Sequence, residues 1–188
     1  MGSELLSQAM ASTGAVLAGV SKDQLDARTP CASWQVRELI NHVVGGATYF
    51  AVTAETGEAP SREDERDFCD GDFVAEFERG AARAVKAFDA DGVMDKTLKL
   101  PFAELPGGVF VNIATSDTFT HGWDLAKATG QSTDLNPALA EQLLAVIQPL
   151  LPDAMRGPDS QAPFGPQVEA PAGANAADRL AAFLGRQP

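Results

Sequence analysis

Apolar residues recur every three or four positions through five long stretches of this chain, and that rhythm leaves room for little but helices. In 4–20 the apolar positions include Leu5, Leu6, Ala9, Met10, Val16 and Leu17; in 34–50 they are Val36, Leu39, Ile40, Val43, Ala47 and Phe50. The same spacing returns through Phe73, Phe77, Ala81, Ala84, Val85 and Phe88 in 72–89, and again across 109–129 and 136–151. A shorter final helix is expected over 174–184. The only extended piece expected is a short one, at 97–102. The expectation is an all-α fold.

The intervening residues punctuate that pattern. Pro30 and Ser33 predict a turn at 29–33 with Ser33 as an N-cap. Residues 53–72, rich in Glu, Asp, Gly and Pro, read as an exposed acidic loop. The Gly- and Pro-broken segment 91–108 predicts a long connection holding one short extended piece at 97–102. Gly130 is placed to end the fourth helix, and Asn136-Pro137 to begin the next. Prolines at 152, 158, 163, 166 and 171 mark a loop, expected to be packed by Met155 and Phe164. Gly14, Gly19 and the pair Gly45-Gly46 weaken their helices by about 1 kcal/mol each, which favours close approach of a neighbour or, for the pair, room beside His42.

At 188 residues the chain is expected to form one domain with a small C-terminal extension, large enough to fold without a structural metal or disulfides. Its net charge of -12 argues against nucleic acid and anionic membrane surfaces as partners. No apolar run approaches the length of a membrane span, and no basic-then-apolar leader stands at the N-terminus. The two cysteines, Cys31 and Cys69, make no disulfide framework. A cytoplasmic protein with reduced thiols is expected, acting on a small molecule. A bundle face could also pair with a second copy as a homodimer.

The chemistry concentrates in 117–124, DTFTHGWD. On a helix Asp117 and His121 stand one turn apart on one face, about 5–6 Å apart at Cβ. The other histidine of the chain, His42, sits at the margin of the second helix's apolar stripe. An aspartate and a histidine amid apolar neighbours are costly to bury unpartnered, which is the physical reason to expect a ligand. We therefore expect His42, Asp117 and His121 to form a two-histidine, one-carboxylate metal site. Zinc or nickel accepts such donors, and three protein ligands leave a position open for water or a thiol. Asp124 and Glu38, each one turn from a histidine, are expected to support the ligating rings. The bland alternative is a pair of core histidines satisfied by Asp117 or Asp124.

Two blocks, TPCASWQVRELINHVVGGATYF and DTFTHGWDLAKATGQ, resemble the signature blocks of the DinB-like metal-binding family. The similar branch is the actinobacterial one related to the N-terminal domain of mycothiol-dependent maleylpyruvate isomerase. The ending FGPQVEAPAGANAADRLAAFLGRQP is similar to that branch as well. The resemblance implies a DinB-like four-helix bundle with a long crossover connection, and a metal held at positions matching His42, Asp117 and His121. It also implies mycothiol as a co-substrate. The isomerase carries glutamate where Asp117 stands, and a further C-terminal domain that this chain length does not accommodate, so isomerase activity is not carried over.

Three functions remain open at this level. One is a metal-dependent enzyme of thiol transfer or isomerisation, in which Arg37, Arg83 or Arg186 could hold a carboxylate. Another is a metal-dependent hydrolase using the same ligands. The last is a non-catalytic binding or regulatory bundle. Trp34 and Trp123 read as core packing, Cys31 as a small buried residue, and Cys69 as unreactive beside so much acid.

Overall fold

Three helices begin where a side chain can accept one of the first unpaired backbone N–H groups. Asp72 accepts from Ala75 N at 3.0 Å, Asn136 from Leu139 N at 3.2 Å and Asn175 from Asp178 N at 2.8 Å. A computed structural model describes residues 2–61, 66–158, 161–162 and 164–188 of the chain. Six α-helices carry most of them: α1 (Gly2–Ala18), α2 (Val36–Thr56), α3 (Phe73–Phe88), α4 (Gly107–Thr129), α5 (Pro137–Ile147) and α6 (Ala176–Phe183). A two-stranded antiparallel sheet, β1 (Thr97–Lys99) with β2 (Glu104–Pro106), pairs Leu98 with Leu105. No helix among the described residues is long and apolar enough to cross a membrane.

Several boundaries depart from the sequence expectation. Ser33 does not cap α2, which starts at Val36 after Gln35 has made an antiparallel bridge to Arg28. At its other end α2 continues to Thr56, because Thr53 and Ala54 prolong the buried face into what reads as an acidic loop. A short 3-10 turn, Phe68–Asp70, follows in that loop and buries Cys69. The extended piece at 97–102 is shorter and has a partner strand, since Ala103 turns the chain back onto Leu100. Helix α5 stops at Ile147, short of Leu151. Residues 62–65 of the expected acidic loop and Pro163 lie outside the described residues.

The chain divides into two compact units. The first comprises Met1–Ala18 and Glu38–Gly122. Its core holds Leu6, Leu17, Leu39, Ile40, Phe77, Phe88, Phe110 and Phe119, each almost wholly excluded from solvent. Small residues let its helices meet closely. Gly14 of α1 admits the Phe77 ring of α3, Gly80 of α3 lies against Ala47 of α2, and Gly122 of α4 faces Thr13 of α1. Thr13 Oγ1 donates to Thr118 O at 2.9 Å, tying α1 to α4. Lys96 Nζ donates to Ala54 O and Glu55 O, placing a cation at the carbonyl end of α2.

The second unit comprises Gly19–Arg37 and Trp123–Pro188, with α5 packed on α6. Trp123 is buried, and its indole N–H donates to Asp178 at 2.8 Å. Met155 is exposed and does not pack the proline-rich loop. Arg156 does that instead, donating to Phe183 O at 2.7 Å and lying over the Phe183 ring. Gly165 and Gly185 touch backbone to backbone, and Gly185 has φ 88°, so neither position has room for a side chain.

Candidate metal site

Helices α2 and α4 run in opposite directions past each other in the first unit. His42 meets Asp117, while Tyr49, two turns further along α2, stands 6.4 Å ring to ring from Phe110, two turns earlier on α4. That pairing brings His42 to the Asp117–His121 face. His42 Nε2 lies 3.5 Å from Asp117 Oδ1 and 3.4 Å from Oδ2, and His121 Nε2 lies 3.5 Å from Oδ1. The imidazole rings meet edge to face with centroids 4.7 Å apart. One donor atom from each of the three residues falls within 4.8 Å of the others.

Two uses of the same groups call for different separations. A good N–H···O hydrogen bond closes to about 2.9–3.0 Å. Two donors about 2.0–2.1 Å from one tetrahedral zinc stand about 3.3–3.4 Å apart. The nitrogen–oxygen distances of 3.4–3.5 Å match the second case better. The donor set, two imidazole nitrogens and one carboxylate, suits zinc or nickel. Its side chains are partly open, His42 17%, Asp117 30% and His121 12% exposed, so a fourth ligand could reach them from solvent.

Charge supports the same assembly. Burial pushes the Asp117 carboxyl up, but the charge and hydrogen bond of His121, and then those of His42, outweigh it and hold the group well below the usual carboxylate range. Asp117 is thus an anion at neutral pH, the form a metal binds.

The supporting groups differ in setting. Glu38 is exposed in the first turn of α2, one turn before His42. Asp124 has no exposure, and in the second unit it accepts from Arg186 Nε at 3.2 Å, Arg186 Nη2 at 3.1 Å and Cys31 Sγ at 3.2 Å. Burial works against the Arg186 charge, but Asp124 outweighs it and keeps the guanidinium firmly protonated. Arg83 is likewise engaged, by both oxygens of Glu55. Cys31 and Arg186 therefore belong to one cluster with Asp124. Their positions, 31, 124 and 186, share no local spacing, so only the cost of burying Asp124 pointed to a partner.

A cavity of about 400 Å³ also lies in the first unit, lined by Ala54, Glu55, Ala87, Asp91, Val93 and Lys96. Its one cation is Lys96, already bonded to the end of α2. The cavity lies about 18 Å along α2 from His42, at twelve residues of 1.5 Å each.

Two uncharacterised proteins of Mycobacterium tuberculosis, from strains CDC 1551 / Oshkosh and H37Rv, are each 45% identical over 173 residues, covering 92% of this chain and 90% of theirs. No solved structure matches the chain. The family model described as the mycothiol maleylpyruvate isomerase N-terminal domain matches residues 6–126, a span that contains His42, Asp117 and His121. The chain belongs to the mycothiol maleylpyruvate isomerase N-terminal domain family.

Proposed function

We propose that this chain is a metal-dependent enzyme acting on a small molecule, by transfer of or isomerisation through a low-molecular-weight thiol of the mycothiol type. The observation that carries the reading is the set of Nε2–oxygen separations around Asp117, which fit donors to one ion. His42, Asp117 and His121 would hold a zinc or nickel ion, and membership of a mycothiol-related family supplies the thiol. Such an ion supplies Lewis acidity and lowers the pKa of a thiol or water that it binds.

The residues' own parts follow from their placement. Asp117 balances positive charge and fixes both imidazoles, because its carboxylate reaches the two rings from one turn of α4. The helix sets the Asp117–His121 spacing, so little order has to be gained on binding. Asp117 is a shorter ligand than the glutamate the resemblance implies for the isomerase. In this reading α1 to α4 form the DinB-like four-helix bundle, with the connection before α4 as its crossover. The place of action is the cytoplasm, where such thiols stay reduced.

The test is consumption of thiol by zinc- or nickel-loaded protein offered a panel of electrophiles that includes maleylpyruvate. Turnover that needs both metal and thiol is expected. Turnover that persists when buffer replaces the thiol would make the protein a metal-dependent hydrolase. Absence of turnover across the panel would leave a binding module and contradict the proposal.

A further inference from the structure

To one side of the three donors, the first unit carries exposed aliphatic side chains. Because α2 and α4 are antiparallel there, Gly45, one turn after His42, and Ile113, one turn before Asp117, lie on the same side of the triad. They are offset from it by about 4.5 Å and about 6 Å along their helices. The Phe68 ring lies against Gly45, where an added Cβ would stand 3.6 Å from Phe68 Cε2.

Phe68 is held in that place. Asn41, the neighbour of His42, accepts from Phe68 N at 2.8 Å and donates to Asp67 at 3.1 Å. The ring stays half-buried, and the Arg66 guanidinium lies 4.8 Å from its centroid while also bonding Glu76. On the α4 side Ile113 is 39% exposed and Val109, one further turn away, 45%. A single exposed aliphatic residue is ordinary. Ile113 and Val109 differ in sharing one helix face with Asp117, a partly open donor.

We infer that Phe68 and Ile113 wall an apolar subsite beside the His42–Asp117–His121 triad, which takes a small molecule carrying a ring-sized apolar body next to its metal-engaging group. The inference rests on the metal reading above and adds the substrate class. The polar end would engage the ion, and the body would cover Ile113 and the Phe68 ring, removing apolar surface from water.

Zinc-loaded protein titrated with acetohydroxamate and benzohydroxamate tests it. The two probes share a metal-binding group and differ in the apolar ring. Wild type is expected to bind benzohydroxamate about tenfold more tightly, an advantage of the size that burying one ring face provides. In Ile113→Ser and Phe68→Ala that advantage should fall to about twofold or less, with zinc content and acetohydroxamate affinity held. Ile113→Ser changes a side chain already open to solvent, so it decides the matter even if Phe68→Ala disturbs the fold. An unchanged affinity ratio in Ile113→Ser overturns the subsite alone. So does an unchanged ratio accompanied by conversion of a dimer to monomer, which would assign the patch to a second copy. Protein that takes up no zinc overturns the metal reading, and this inference with it.

Discussion

Asp124 is a charged residue of the second unit with no exposure, and its pairing is testable on its own. Removing the guanidinium in Arg186→Ala leaves a carboxylate with no exposure facing only Cys31 Sγ at 3.2 Å among those two partners. Loss of one partner of such a pair costs about 3–5 kcal/mol. Replacing both, as Asp124→Leu with Arg186→Met, should return most of that stability, because neither charge then has to leave water. Urea denaturation of the single and double variants checks the difference; equal losses in both would contradict it. Thr120 poses the opposite case. Its Oγ1 is buried with no hydrogen-bond partner among the described residues. Thr120→Val keeps the shape and removes the orphaned hydroxyl, so it should stabilise the protein by about 1 kcal/mol. Destabilisation in the same denaturation experiment would mean that the hydroxyl is satisfied after all. Neither residue's situation is legible in the sequence beyond its helix face, since burial and partner depend on residues far away in the chain.

At the scale of elements, the donors depend on α4 being held in place. Gly122 follows His121, and a Cβ there would stand 2.3 Å from Thr13 Oγ1 on α1. Gly122→Ala should therefore cost about 1–3 kcal/mol by overpacking, despite alanine's better helix propensity. Thr13→Gly in the same chain should recover part of that loss, and thermal denaturation of the three proteins would show whether it does. Apolar spacing was enough to locate α1 to α4, because a buried helical stripe is a local pattern. It located α5 and α6 too, with ends shifted by a few residues where capping and tertiary packing decide. It did not reveal β2, which has only Leu105 on its inner side and exists by pairing with β1. The Asp117–His121 pair was legible because helix geometry alone fixes it. The approach of His42 was not contained in any local spacing, since it depends on which helices pair; it was expected because both histidines fall on core-directed helix faces, and the family resemblance added weight. Phe68 went unnoticed because its position over Gly45 depends on Asn41 gripping a loop 27 residues away.

For the whole molecule, the proposed metal site predicts that folding is coupled to metal binding. A ligand that binds only the folded chain stabilises it by mass action, by about 2.7 kcal/mol at a hundred times Kd. For a chain of this length that corresponds to a rise in Tm of about 5–10 °C. Zinc should produce that rise in wild type and not in His42→Ala; equal shifts would place the binding elsewhere. The central claim is that His42, Asp117 and His121 hold one ion. The most direct measurement is the metal content of protein purified without chelator or metal-affinity resin, beside His121→Ala prepared in the same way. The account predicts about one zinc or nickel per chain in wild type, lost in the variant. No metal in either protein, with no uptake on titration, would contradict it.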